Sequence, residues 1–176
     1  SGRVSHNQMN QINFAERLVL VAASTHRGEE AILLESYRQL RHSVPQLLLL
    51  LAPRHPHRFA EVETLLQTGG YRYCKRSQAL QDQNIKNIKN VEVFLLDTLG
   101  ELASFYSVAA LAFVGGSLIK GPGGHSVIEP ALAQLPVVFG PYTRNFSSIV
   151  HALKQSGGGI EITDVASCCH HILPLL

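Results

Sequence analysis

Cysteine is scarce in this chain: three residues in 176, Cys74 and the adjacent Cys168 and Cys169. Three thiols cannot close a full set of bridges, and sequence neighbours seldom bridge each other, so a disulfide-stapled secreted domain is excluded and a reducing compartment is expected. Charge of one sign is also lacking. The formal net charge is +2, and the basic residues are scattered rather than striped along one face, which argues against a nucleic-acid groove. Arg72, Lys75 and Arg76, and Lys86 with Lys89, read as solvated surface. The apolar run over 47–51 is far too short to cross a bilayer and no signal peptide opens the chain, so a soluble, unexported domain is expected. Nine histidines raise the question of a metal, yet the block Cys168-Cys169-His170-His171 lacks the loop spacing that wraps four ligands around zinc. It reads as helix surface and core, with no metal expected. Two phosphate-binding signatures are missing as well. No fingerprint glycines follow the first strand, and no lysine with Ser/Thr follows the last glycine of a loop, which disfavours a dinucleotide cofactor and a kinase-type P-loop.

What is present is an alternation of apolar strands and amphipathic helices. Strands are predicted at 18–22, 47–52, 71–74, 91–96, 111–114, 137–139 and, as a last edge, 160–162. Helices are predicted at 28–42 with Ile32, Leu33 and Leu40 inward, 59–67, 99–106, from Ser126, at 146–155, and over the terminal residues. Residues 78–90, polar and asparagine-rich, read as a surface loop. Residues 1–11 are polar and patternless, a linker or expression remnant, and 12–176 form one domain with enough apolar content for a core. There is no internal repeat. The fold class is α/β, a Rossmann-like parallel sheet flanked by helices, because parallel neighbours need crossovers and those are helical and right-handed.

In such a sheet the strand C-termini and the following helix N-termini share one edge, where ligands of open α/β folds bind. The unusual segments of this chain all follow predicted strands: 24–30, 53–58, 97–101 and the glycine-rich stretch 115–130. That last junction can cradle a phosphate, since glycines let a ligand approach the backbone and the first helical N–H groups have no intrahelical partners. A flexible connection ending in an ordinary cap is the plainer alternative. Ser126 with Glu129, and Thr98 with Glu101, have capping-box spacing, so two helix N-termini are expected at the same edge. A capping glutamate has a full structural task; alternatively Glu101 and Glu129 accept hydrogen bonds from ribose hydroxyls, with Gly100 allowing close approach. Arg54, in a proline-bounded turn, suits bidentate phosphate binding, against the plainer reading of a surface arginine paired locally. His125 could donate to a phosphate oxygen or be a partly exposed loop histidine; His55 and His57 are weaker candidates. Asn145-Phe146 reads as an N-cap and hydrophobic helix start.

The segments AASTHRGEE, PRHPHRF, DTLGEL, AFVGGSL, GGHSVIEPA, PVVFGP and NF occur in that order between residues 18 and 165. Together they resemble the C-terminal half of bacterial 3-deoxy-D-manno-octulosonic acid (Kdo) transferases. The resemblance implies the later of two Rossmann-like domains in a GT-B enzyme, the one that binds the sugar nucleotide CMP-Kdo. It further implies an inverting transfer of Kdo to lipid A precursor in lipopolysaccharide biosynthesis, at the cytoplasmic face of the inner membrane, with no metal or other cofactor. The catalytic base would belong to the N-terminal domain, leaving no catalytic residue in this chain and the isolated domain inactive. By the same resemblance Pro53, Arg54, Leu99, Gly100, Glu101, Ser126, Val127, Ile128 and Glu129 would contact CMP, with Gly124 and His125 as further candidates. Leu99 and Ile128 would form apolar walls for the base. Two positions depart from the family: asparagine is usual where Ser126 stands, and the loop before Gly124 is one residue longer here. A GT-B domain using a UDP-sugar, and a non-enzymatic nucleotide-binding module, are the alternatives.

Overall fold

Every position of β2 (Leu47–Pro53) is buried, a pattern open only to a strand covered on both faces. β1 (Leu18–Thr25) pairs with it in parallel, Leu18 opposite Leu47 through Ala23 opposite Ala52. The computed structural model describes residues 12, 14, 16–81 and 88–176. The expected linker over 1–11 therefore lies outside the described residues, as do positions 82–87 of the expected loop. The other strands are β3 (Tyr73–Lys75), β4 (Val93–Leu95), β5 (Leu111–Val114), β6 (Val137–Phe139) and β7 (Gly159–Glu161). They form one seven-stranded sheet in the order β3-β4-β2-β1-β5-β6-β7, with every pairing parallel. This is the doubly wound arrangement read from the sequence. Strand order reverses between β1 and β5, which opens a crevice at their C-terminal ends.

Period-two alternation divides the central strands between two cores. Leu20, Ala22, Leu47, Leu49 and Leu51 face one cluster, which α1 (Glu29–Ser43), α2 (Phe59–Thr68) and α7 (Val165–Ile172) close with Leu33, Tyr37, Leu40, Val62, Leu66, Cys168 and Ile172. Val19, Val21, Leu48 and Leu50 face the other, closed by Phe14, Ala79, Phe105 and Tyr106. Each fully buried leucine contributes about 2 kcal/mol of transfer free energy, so β2 alone anchors the sheet. Burial also pushes the Cys168 thiol up to about 11, which keeps it protonated within the α1–α7 contact. Among the described residues no helix is long and apolar enough to cross a membrane.

Several expectations are corrected. A helix not foreseen, α3 (Arg76–Gln81), occupies the start of the expected 78–90 loop. Arg76 is not solvated surface: it is 1% exposed and paired with Glu101. Lys75 is likewise engaged, with Glu63 at 3.0 Å. The expected 99–106 helix shrinks to α4 (Leu102–Phe105) followed by a 3-10 turn over Tyr106–Val108. The Ser126 helix shrinks to α5 (Ile128–Leu132), and neither helix has a side-chain cap. The capping box is instead at α7, where Asp164 and Ser167 satisfy each other's backbone N–H. The spacing of that pair follows the same rule, with serine in the place usually held by glutamate.

Candidate functional site

The strand register brings the loops after β1, β2, β4, β5 and β6 to one rim. β1 ends in a bulge between Ala23 and Thr25, with Ser24 at φ 53°, a left-handed backbone that non-glycine residues rarely adopt. The bulge turns the Ser24 carbonyl towards the neighbouring loop. Only glycine fits opposite: a Cβ on Gly115 would lie 2.4 Å from the Ser24 oxygen. One strand further on, a Cβ on Gly140 would lie 2.2 Å from the Ser117 oxygen. Gly115 and Gly140 thus serve close approach of one backbone to another.

The glycine bend already holds an anion of its own. Glu29, fully buried at the start of α1, accepts hydrogen bonds from the N–H groups of Gly116 (2.8 Å), Ser117 (2.9 Å) and Leu118 (2.9 Å), and from His26 N–H (2.9 Å). The N–H of Gly124 bonds the Gly116 carbonyl and that of His125 bonds the Gly115 carbonyl. These five amides of the bend are therefore spent inside the protein, and they are not the N–H groups that open α5. Asn145, read from the sequence as a helix cap, donates from Nδ2 to the Pro122 and Gly124 carbonyls instead. α6 (Ser147–Ser156) starts after it, with Phe146 at the N-cap and no side-chain cap. The carbonyls of a glycine-rich loop have no helix or ladder to satisfy them, so a nearby amide side chain straps them. An open cavity of about 370 Å³ lies beside this strap, lined by Lys120, Gly123, Tyr142, Arg144 and Ser147.

A buried ion pair stands behind the rim. Glu30, also fully buried, receives Arg58 Nη1 at 2.6 Å and Thr25 Oγ1 at 2.9 Å. Burial works to lower the Arg58 pKa, but the bonds to Glu30 and Glu61 outweigh it and raise it. Arg58 Nε has no hydrogen-bond partner among the described residues. Glu101 is held similarly by Arg76 Nη2 at 2.7 Å and by the Thr98 hydroxyl. Burial tends to raise its pKa, yet the Arg76 and Thr98 bonds hold it below the ordinary value. The Glu101 carboxylate is thus occupied inside the protein, and only its backbone is open to a ligand.

On the solvent side of these pairs three loops meet through histidines. His26, from the β1 loop, lies end to end and nearly coplanar with His125, from the β5 loop, their ring planes 11° apart, their centroids 4.9 Å apart and their Nε2 atoms 2.6 Å apart. His55, from the β2 loop, meets His26 edge-on at 5.3 Å and stacks on His57 at 5.4 Å. Arg54 N–H bonds the Thr25 carbonyl at 3.0 Å, tying the β2 turn to β1, while its side chain is exposed with no carboxylate partner among the described residues. Desolvation by burial, then the neighbouring His26, Arg54 and His55, push the His125 pKa down to about 4.

The remaining expected residues divide by side-chain direction. Val127 is buried in the cluster of Val114, Val137, Phe139 and Val150, leaving only its backbone at the rim. Ser126 Oγ accepts the Ile128 N–H at 3.3 Å, a weak local bond in place of the expected capping box, and Glu129 is exposed. Ile128 and Leu99 are exposed apolar side chains, at 41% and 68%. Pro53 ends β2, and Gly100 follows Leu99 at φ 79°. The 96–101 loop reaches the rim beside β2 and is fixed from behind, with Asp97 accepting Ser77 N–H at 2.8 Å. Sequence reading missed the roles of Glu29, Glu30 with Arg58, and His26. The adjacent acidic pair opening a helix directly after a strand was the available signal for the first two.

A seven-stranded parallel sheet flanked by helices, its order reversing between β1 and β5, is the α/β architecture of GT-B glycosyltransferase domains. Its fold is shared with an α,α-trehalose 6-phosphate synthase of Burkholderia multivorans at TM-score 0.56 and 8% identity, over 96% of this chain and 36% of that one. More specific likenesses settle the family. The C-terminal CMP-Kdo binding domain of WaaA from Acinetobacter baumannii superposes at TM-score 0.85 with 31% identity, covering 96% of this chain and 85% of that one. A 3-deoxy-D-manno-octulosonic acid transferase of Haemophilus influenzae is 40% identical over 161 residues, 92% of this chain and 36% of the relative. No family model matches the chain. The chain belongs to the 3-deoxy-D-manno-octulosonic acid transferase family, and it spans about a third of the length of the curated relatives it matches.

Proposed function

We propose that this domain is the donor-binding half of a Kdo transferase and holds CMP-Kdo at the rim described above. Support comes from the 31% identical domain of the Acinetobacter protein, whose ligand is CMP-Kdo, and from the transferase relatives. The observation that carries the reading is Arg54, a guanidinium fixed through its backbone, exposed at the crevice and without a carboxylate partner among the described residues, while Arg58 and Arg76 behind it are consumed by Glu30 and Glu101. A free guanidinium facing out from an otherwise neutralised frame is where the donor phosphate is held. Leu99 and Ile128 flank the base, Glu129 takes the ribose hydroxyls, and the backbones of Pro53, Gly100, Glu101, Ser126 and Val127 line the groove.

The transfer moves Kdo to lipid A precursor with inversion, without a metal or other cofactor, at the cytoplasmic face of the inner membrane. A carboxylate in the partner domain of the full enzyme takes the acceptor proton, so this domain alone turns over no donor. What this chain contributes is stabilisation of the charge that develops on departing CMP. Isothermal titration tests the reading: CMP binds, UMP binds more weakly, and Arg54→Ala lowers CMP affinity by about tenfold or more while Lys75→Ala leaves it unchanged. UMP binding tighter than CMP would move the domain to a UDP-sugar enzyme. Equal CMP affinity of the two variants would remove Arg54 from the phosphate.

A further inference from the structure

The two rings of the His26–His125 contact cannot both be donors. At 2.6 Å between Nε2 atoms one ring gives an N–H and the other a lone pair, so the couple holds a single proton along that line. A proton added to the accepting ring breaks the bond, because two N–H groups then face each other. Both Nε2–H groups are thereby freed, and they need a common acceptor. An anion docked against the couple supplies one. Five amides of the glycine bend do not compete for it, three being held by Glu29 and those of Gly124 and His125 by backbone carbonyls. Arg54 stands close enough for its charge to be felt at His125.

We infer that the His26–His125 couple is a proton-coupled phosphate clamp: docking of a nucleotide phosphate beside Arg54 draws one proton onto the couple and turns its internal hydrogen bond into two bonds to the phosphate. This rests on the donor-site reading above. The groups facing the couple set its balance. Glu29 and Glu30 favour protonation of His26, whereas His55 and Arg58 oppose it; His26, Arg54 and His55 oppose it at His125. Burial lowers both histidines, so the unliganded couple is neutral near neutrality and the incoming negative charge tips it. The proton comes from solvent, and no covalent bond changes. By linkage, affinity for the anion rises as pH falls.

The test is titration of this chain with the 5′-methyl phosphodiester of CMP, whose single charge does not change over the range, in buffers of different ionisation enthalpy. The expected result is an uptake of about half a proton at pH 6.5 and an affinity gain of about tenfold from pH 7.5 to 5.5. His125→Gln and His26→Gln each abolish the uptake and flatten the pH profile while keeping a residual affinity through Arg54. His151→Gln, on exposed α6, keeps both, and circular dichroism melts confirm that all variants are folded. Binding with no proton uptake and a flat profile in the unmodified chain overturns the clamp while leaving the donor site standing. Absence of binding of either CMP or its ester overturns both.

Discussion

The two edges of the sheet are both rich in arginine, yet they differ in what those arginines are free to do. At the lower edge Arg17 donates to the carbonyls of Gln46, Leu47, Ile88, Lys89 and Val91. Arg41 and Arg72 converge on Glu92, and Arg38 lies over the Tyr71 ring at 5.0 Å while bonding the Gly69 carbonyl. A cavity of about 430 Å³ sits there, larger than the one beside the glycine bend. Size does not make it the ligand site, because its cations already close chain ends and a carboxylate. At the upper rim Glu30 and Glu101 neutralise Arg58 and Arg76, Glu29 is held by backbone amides, and Arg54 with the histidine couple is left facing the crevice. On the donor-site reading proposed above, a basic edge becomes a binding edge when the protein supplies the counter-charges for all but the groups that face the ligand.

The most damaging way to break this contrast is Glu29→Ala. Three buried amides of the bend would lose their acceptor, at about 1–3 kcal/mol each, so chemical denaturation should show a loss of several kcal/mol and titration should show no CMP binding. Arg76→Ala strands Glu101 and should cost about 3–5 kcal/mol in the same denaturation experiment. Arg17→Ala should destabilise by about 3 kcal/mol through the lower edge and leave CMP affinity of the folded fraction unchanged. Arg54→Ala should do the reverse, changing stability by less than about 0.5 kcal/mol while costing the binding stated above. Acid sharpens the distinction further. His125 is held at about 4 against an ordinary 6.5, so the unfolded chain takes up its proton first and stability falls as pH drops through that window. The Glu101 carboxyl is depressed, so its stabilisation is present at neutral pH and is lost as pH falls through its folded value. Melts of His125→Gln should lose the first of these slopes and keep the second. The smallest effect expected is Leu99→Ala, a few-fold weaker CMP binding with unchanged melting, since its side chain is 68% exposed.

Much of the architecture was legible because burial leaves periodic marks. The unbroken apolar run of β2, the helix faces of α1, and Gly157 after α6 all announce themselves locally. The short elements did not. α4 and α5 carry capping-box spacing that the fold does not use, since Glu101 is drawn to Arg76 and Ser126 makes only a weak local bond. α3 was hidden in a polar stretch whose helix is held from outside, through Asp97 on Ser77 and Glu101 on Arg76. For the site, the shared rim was legible from strand alternation, whereas the state of each charge on it was not.

By itself, then, the order of apolar and polar residues determined the parallel sheet, its crossovers and the edge at which the loops gather, because these follow from periodicity and chirality along the chain. Which charges at that edge remain available was decided only by the tertiary structure. Glu29 reaches amides 87–89 positions away, Glu101 meets an arginine 25 positions back, and His26 touches a histidine 99 positions on. Desolvation and pairing depend on distance in space, and a linear pattern carries no record of it.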